Sequence, residues 1–164
     1  MTQTRVFAQI GADGTLGEQI DFANSRPGHG PTLNVSATIN PTQHLAFALV
    51  QTQRRLNLDN AAGAGQRLFD ARVSRVKSTY TFTSRLFARG IAQYVSTTRD
   101  PLLYLNSVSA KSGSFGGSAL LAYKLNWQSV MFIGYGDDRE LSERDRLEKL
   151  DRQFFVKLSY AFQR

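Results

Sequence analysis

Histidine and cysteine set the range of chemistry open to this chain, and both are scarce. Of 164 residues, two are His and none is Cys. His29 lies in the segment Arg26-Pro-Gly-His-Gly-Pro31, and His44 follows Pro41. A hydrolase needs an imidazole beside a Ser and an Asp, and zinc needs several nitrogen, sulfur or carboxylate ligands. Neither histidine has such neighbours in sequence, so we expect no catalytic residue, no metal site and no cofactor. A lipid hydrolase using His29 or His44 remains the weakest alternative.

Three glycines, Gly11, Gly14 and Gly17, have a spacing that superficially resembles a phosphate-binding loop. Such a loop ends in Lys followed by Ser or Thr and precedes a helix, and this segment offers neither. Glycine also permits the positive φ angles of tight turns. We therefore predict a hairpin turn at Ala12-Asp13-Gly14-Thr15.

Composition and charge narrow the class of protein. Hydrophobic residues make up 41% and charged residues 20% of the chain, which are globular values, and the formal net charge is +7. The Lys and Arg residues are dispersed and no aromatic–basic motif accompanies them, so nucleic acid is not an expected partner. No apolar stretch is long enough for a membrane-spanning helix, and the first residues encode no secretory signal. We expect a single domain over residues 1–164.

Alternation of apolar and polar residues predicts an all-β chain. Leu33, Val35, Ala37 and Ile39, for example, alternate with polar neighbours. Nine strands are predicted, at Arg5–Gly11, Gly17–Asn24, Thr32–Ile39, His44–Leu58, Arg67–Phe82, Arg85–Thr98, Gly117–Asn126, Gln128–Arg139 and Gln153–Phe162.

Short and long connections alternate between these strands. The short turns are Ala12–Thr15, Asn40–Gln43, Thr83-Ser84 and Asn126-Trp127, and the long links are Ser25–Pro31, Asp59–Gln66, Arg99–Gly116 and Glu140–Arg152. Bacterial outer-membrane barrels have short periplasmic turns and long extracellular loops. The predicted fold is therefore an antiparallel up-and-down transmembrane β-barrel of eight or nine strands, although a Greek-key sandwich can produce the same alternation.

The densest charge run, Asp137–Asp151, carries both signs. It predicts a solvated loop with a short helical turn around Leu141–Leu150. The alternative is a cation or lipopolysaccharide contact, in which Arg139, Arg144 and Arg146 would bind phosphates and the acidic residues would bind divalent ions.

Polar residues in mid-strand indicate which face would line a water-filled lumen. If the apolar side chains face lipid, the lumen candidates are Arg75, Lys77, Arg89, Gln93, Lys124 and Lys157. A conducting lumen lined in this way would favour anions. Phe69, Ala71 and Val73 fall on the same face as Arg75, which predicts a bulge or a strand that projects beyond the bilayer. The rival interpretation is a soluble barrel or sandwich that binds a small apolar ligand inside.

The last predicted strand resembles the signal by which outer-membrane barrels are recognised for assembly. The strand would pair with a strand of the assembly machinery, which would recognise every second side chain. These side chains are Phe154, Val156, Leu158, Tyr160 and Phe162. An aromatic girdle at one membrane interface is predicted from Tyr80, Phe82, Phe87, Trp127, Tyr160 and Phe162.

Four segments carry a wider resemblance: Tyr80–Phe87, Leu120–Gln128, Phe132–Asp137 and Arg152–Arg164. They resemble an uncharacterised family of bacterial outer-membrane proteins in which a family-nine-type carbohydrate-binding module precedes a large C-terminal barrel. The resemblance extends from about Gly17 to the end and implies an outer-membrane location, with no catalytic residues. The N-terminal module of that family has no counterpart in this sequence.

Strand parity bears on whether further strands belong to the barrel. In a barrel the last strand of the chain descends to the periplasm. Because strand direction alternates, the first of nine strands, Arg5–Gly11, would descend as well, and its N-terminus would lie outside the cell. Bacterial barrels close with even numbers of strands, which predicts missing upstream strands. Without Arg5–Gly11, eight strands would be able to close alone. The expected partners are outer-membrane lipid, lipopolysaccharide, the assembly machinery and an upstream carbohydrate-binding module.

Overall fold

A computed structural model describes residues 6–21, 25–58, 65–142 and 145–162. Strands make up 79% of these residues. One short 3-10 turn, Pro101–Leu103, lies between the fifth and sixth strands. The strands are β1 Phe7–Asp21, β2 Arg26–Asn40, β3 Leu45–Leu58, β4 Gln66–Thr81, β5 Leu86–Arg99, β6 Lys111–Lys124, β7 Ser129–Leu141 and β8 Leu147–Tyr160.

All eight strands form one antiparallel sheet in which each strand pairs only with its neighbours in sequence. The predicted all-β, up-and-down architecture is confirmed. The sheet is open, because β1 and β8 do not pair with each other. Each of these two strands therefore has one edge without a partner strand.

The register assigns every side chain to one of two faces, since residues directly opposite in paired strands project to the same side. One surface, the apolar face, carries Ile10, Leu33, Val35, Leu49, Val76, Tyr94, Leu121, Tyr123, Tyr135, Phe154, Val156, Leu158 and Tyr160. The opposite surface, the polar face, carries Arg75, Lys77, Arg89, Gln93, Lys124 and Lys157.

Three short turns at one end of the sheet use the same hydrogen-bond arrangement. In each, one side-chain oxygen accepts the backbone N–H groups two and three residues later. Thr42 Oγ1 accepts from His44 and Leu45, Thr83 Oγ1 from Arg85 and Leu86, and Asn126 Oδ1 from Gln128 and Ser129. These local bonds satisfy donors that the strand ladders leave unpaired, and the three positions agree with the predicted turns.

The predicted turn at Ala12–Thr15 is wrong. β1 runs without interruption from Phe7 to Asp21, with Asp13 opposite Asn34 and Gly14 opposite Leu33. Eight strands replace the predicted nine, and Gly11, Gly14 and Gly17 lie within a strand. Arg5, where the first strand was predicted to begin, is outside the described residues. Since β1 begins at the short-turn end, the inference of a first strand descending from outside the cell is wrong as well.

Several predicted links are shorter than expected, because strands extend into them. The segment 26–31 belongs to β2, and β7 and β8 replace most of Glu140–Arg152, including the predicted helical turn. Most of the predicted link Asp59–Gln66 lies outside the described residues. The predicted bulge in β4 is absent from Phe69 to Thr81, where the register with β5 is regular. Irregular pairing occurs instead at Leu56/Asn57 and Asp138/Arg139.

The described residues bury few apolar side chains. Only Leu56, Leu68 and Ala122 are buried apolar residues among them. The accessible surface is 12,044 Å², whereas a folded globular monomer of 18.3 kDa exposes about 8,100 Å². A single-layer sheet of this kind lacks the second layer that normally covers an apolar face.

Candidate functional site

The polar face gathers all six residues predicted to line a lumen. Arg75 lies opposite Gln93, Lys77 opposite Ile91 and Arg89 opposite Leu120, while Lys124 and Lys157 face Val130 and Phe132. None of the six shares a face with Phe154, Val156, Leu158 and Tyr160 of β8.

Two neighbouring rows of the polar face form a cleft, which we call the Arg89 cleft. One row is Arg89, Leu120, Gly134 and Phe155, and the next is Ile91, Ser118, Gly136 and Gln153. The cleft has a volume of about 210 Å³. The cleft is open at β7 because Gly134 and Gly136 have no side chains to fill the space between β6 and β8.

Aromatic and glycine residues fit together at the base of this cleft. The ring of Phe155 covers Gly134 so closely that a methyl group there would lie 2.2 Å from Cε1 of the ring. A methyl group on Gly136 would lie 3.0 Å from Cγ of Gln153. Glycine at both positions therefore allows Phe155 and Gln153 to lie across β7.

The guanidinium of Arg89 is the charged group of the cleft. It lies over the ring of Phe87 at 5.7 Å from the centroid. Its Nε is buried and has no hydrogen-bond partner within the described part of the chain. Most buried donors have such partners, so Arg89 Nε is an exception among the buried donors of the described residues.

Acidic residues, which the sequence analysis did not assign to the polar face, lie on it at the end of the long links. Asp138 is opposite Asp151 and Glu140 is opposite Glu148. Like charges in such positions repel. No group of three or more His, Asp or Glu side chains in the described ranges is arranged to hold a metal ion. Arg26, Arg54 and Arg99 lie at the same end of the polar face, so charges of both signs are present there, whereas only cationic and amide side chains were predicted to line it.

The link between β5 and β6 crosses to the β1–β2 end of the polar face. Arg26 Nη2 donates to the carbonyl oxygen of Leu103 at 2.8 Å and pairs with Asp21 Oδ2 at 3.0 Å. Asp21 is only 6% exposed. Burial raises the pKa of the nearby Tyr104, and Asp21 adds to this while Arg99 and Arg26 oppose it. The link thus covers part of one end of the polar face, as loops do in some barrels.

The apolar face is exposed over most of its extent. Leu121 and Tyr123 are each 38% exposed, and Leu158 is 67% exposed. The assembly-signal candidates Phe154, Val156, Leu158 and Tyr160 all lie on this face of β8, and Phe162 follows the strand. Tyr160 and Phe162 pack edge to face, as do Tyr80 and Phe82 near another short turn. Phe87, predicted to belong to the same girdle, points to the polar face instead.

Two charged clusters lie on the apolar face, toward its long-link end. Asp70 accepts from Gln53 and pairs with Arg55 at 2.8 Å and Arg72 at 3.3 Å. Asp137 pairs in the same way with Arg139 at 2.9 Å and Arg152 at 3.5 Å. Each cluster has two arginines and one carboxylate, and therefore a net positive charge.

The three arginines named in the alternative of a lipopolysaccharide contact have different surroundings. Arg139 belongs to the Asp137 cluster. Arg146 lies in the exposed link before β8, and Arg144 is outside the described residues. Arg55, Arg72 and Arg152 were missed in the sequence, because their arrangement around two carboxylates depends on strand register.

The two histidines lie far apart. His29 is in β2 opposite Glu18, and His44 is in the short turn beyond the other end of that strand, its Nδ1 2.8 Å from the carbonyl oxygen of Thr81. The segment of β2 between them spans roughly 35 Å at the rise of an extended strand. The fold does not bring the two imidazoles into one site.

The fold and its two faces define the class of protein: an open, single-layer antiparallel meander with one apolar and one polar face. Comparison with known proteins found no matching family model, no matching curated protein and no matching solved structure. Among the described residues, no helix has the length and hydrophobicity to cross a membrane.

Proposed function

We propose that the chain forms an integral β-barrel of the bacterial outer membrane, or the C-terminal part of one, with a structural, transport or surface-display role and no catalysis. The observation that carries this proposal is the exposed apolar face opposite a face that bears cations. Lipid would cover the first face and water the second, which is the distribution found in transmembrane barrels.

Burial energetics support a lipid environment for the apolar face. Exposed apolar surface costs roughly 25 cal/mol per Å² in water. The total exposed area exceeds that of a globular monomer by thousands of square ångströms, and the apolar face is part of this excess. A soluble barrel would pack Leu121, Tyr123, Leu158 and Tyr160 in a dry interior, and all four are instead exposed.

The height of the apolar band is compatible with a bilayer. On β5 it runs from Leu86 to Tyr94, and on β6 from Phe115 to Tyr123. Such a segment extends about 27 Å, or about 21 Å along the membrane normal at a tilt near 40°. On β3 the band is shorter, from Leu45 to Leu49. The cluster around Asp70 lies beyond the band, where polar headgroups would meet it, whereas Asp137 follows the apolar residues of β7 but is opposite Gly117, within the β6 part of the band.

In a membrane, the outer edges of β1 and β8 would need hydrogen-bond partners for their backbone groups. In hydrocarbon every N–H and C=O group needs a partner, and the outer edges of β1 and β8 have none in the open sheet. In the membrane these edges would pair with each other, giving an eight-stranded barrel, or with further strands of a larger barrel.

The proposed partners follow from the same arrangement. They are outer-membrane lipid, lipopolysaccharide at the arginine clusters, and the barrel assembly machinery at β8. An upstream carbohydrate-binding module is proposed on the sequence resemblance alone.

Refolding into vesicles tests this function. The urea-unfolded chain is diluted into phosphatidylcholine vesicles and run on a denaturing gel with and without boiling. We expect the unboiled sample to migrate differently from the boiled one and to float with the vesicles. A chain that folds to a monomer in lipid-free buffer and stays off the vesicles would contradict the proposal and favour a soluble barrel with an apolar interior.

A further inference from the structure

We infer that the Arg89 cleft binds a small organic carboxylate, with the guanidinium of Arg89 as its charge partner. The inference rests on the proposed function to the extent that the polar face would then be the barrel interior. The cleft itself is formed within β5–β8 and needs no other strand.

The positive charge of Arg89 is not balanced by a carboxylate of the described residues. Among the described residues Arg89 forms no ion pair, although Arg55, Arg72 and Arg139 all pair with carboxylates. Its neighbours across the sheet are Leu120 on one side and Thr79 on the other. A cation beside apolar side chains is stabilised by a countercharge, and none is supplied by the described part of the protein.

Geometry identifies the type of anion. A guanidinium presents its donors in a planar fork that matches the two oxygens of a carboxylate. Ser118 and Gln153, in the next row of the cleft, add a hydroxyl and an amide for further hydrogen bonds.

The other residues of the cleft favour a carboxylate whose remaining atoms are apolar. Ile91, Leu120 and the ring of Phe155 line the rest of the cleft. Its volume of about 210 Å³ equals roughly seven waters at about 30 Å³ each. An aromatic or short aliphatic acid fits this space, whereas a phosphate would meet apolar side chains with only one cation to balance its charge.

Calorimetric titration with benzoate tests the inference, using the folded full chain in detergent micelles and in vesicles. We expect saturable binding of benzoate, weaker binding of acetate, and no binding of phosphate beyond that of chloride. Arg89→Gln should weaken benzoate binding at least tenfold. Arg89→Lys, which keeps the charge without the fork, should lie in between.

Arg75→Gln is the matched control, because Arg75 is on the same face but does not line the cleft. We expect it to change benzoate affinity less than twofold. An equal loss in Arg75→Gln and Arg89→Gln would overturn the inference, since binding would then reflect the general charge of the face. Absence of saturable binding, or unchanged binding in Arg89→Gln, would overturn it too. A chain that inserts into vesicles but binds no benzoate contradicts the cleft alone, whereas failure to insert contradicts the proposed function.

Discussion

Individual side chains determine where this sheet turns. Thr42, Thr83 and Asn126 each hold a short turn with one oxygen that accepts two backbone N–H groups. Thr and Asn favour turns because their side chains bond to nearby backbone in this way. The turn residues were therefore recognisable in the sequence.

Removing one of these oxygens should weaken the folded state measurably. We predict that Thr83→Ala lowers the free energy of unfolding by about 1 kcal/mol, since the Arg85 N–H loses its acceptor and the Leu86 N–H keeps only its bond to the Thr83 carbonyl oxygen. Ser84→Ala is the matched control in the same exposed turn, and should have little effect. Urea titration of the refolded protein measures both, and equal midpoints for the two variants would show that the Thr83 bonds do not matter.

Gly134 should be far less tolerant of a methyl group than Gly17. The added carbon at Gly134 would overlap the Phe155 ring, while at Gly17 no atom lies within 4 Å. We predict that Gly134→Ala costs about 1–3 kcal/mol, the usual range for overpacking, and that Gly17→Ala is neutral or slightly stabilising. Thermal unfolding of both variants provides the measurement. A neutral Gly134→Ala would mean that Phe155 moves aside without loss.

Among the strands, β1 shows why a turn predicted from two or three neighbouring residues can be wrong. Asp13-Gly14 has the composition of a type I′ turn, yet fifteen consecutive residues of β1 pair with β2. A ladder of this length outweighs the preference of two residues, because each paired residue adds to the register that the whole strand must keep. The apolar positions Ile10, Ala12 and Leu16 continue on one face through the supposed turn, a signal that was present in the sequence.

The charged ends of β7 and β8 were missed for a different reason. Asp138, Glu140, Glu148 and Asp151 point to the polar face, while Arg139 points to the apolar face. A strand that extends beyond the apolar band has both faces in polar surroundings, so it loses the alternation by which strands are recognised. The open edges of the sheet were also beyond prediction, because alternation within a strand contains no information about which strand it pairs with.

The outer edge of β8 provides a prediction at the scale of the element. All residues of β8 are exposed, and the strand pairs only with β7. In vesicles, the β8 amides that point away from β7 should become protected from hydrogen exchange to a degree similar to β5, which is paired on both sides. We expect this because unpaired amides are not tolerated in hydrocarbon. Fast exchange of these amides in vesicles, at rates at least 100-fold above those of β5, would argue against barrel closure.

For the whole molecule, the division into two faces is the property on which the proposed function depends. Ala37 and Ser36 are adjacent in β2 and point to the apolar and the polar face respectively. We predict that Ala37→Arg destabilises the vesicle-inserted protein by about 1–3 kcal/mol, since a cation facing lipid costs about 2–4 kcal/mol at the midplane and less toward the interfaces. Ser36→Arg should cost less than about 1 kcal/mol.

Trp127 provides the readout for this pair of variants. It is the only Trp in the chain and is 75% exposed in the short turn between β6 and β7. Its fluorescence should report the transfer between bilayer interface and water as urea is raised. Equal urea midpoints for Ala37→Arg and Ser36→Arg would contradict the assignment of one face to lipid.

Pairing of each strand only with its neighbours in sequence also determines the order in which the protein forms. A hairpin closed by a short turn loses little chain entropy, so β2–β3, β4–β5 and β6–β7 can form early and independently. Joining β1 to β8 would instead close a loop of nearly the whole chain, at an entropic cost about 3 kcal/mol above that of a four-residue turn. The kinetics of folding into vesicles should therefore have a fast growth phase and one slow final step, in which the two free edges meet.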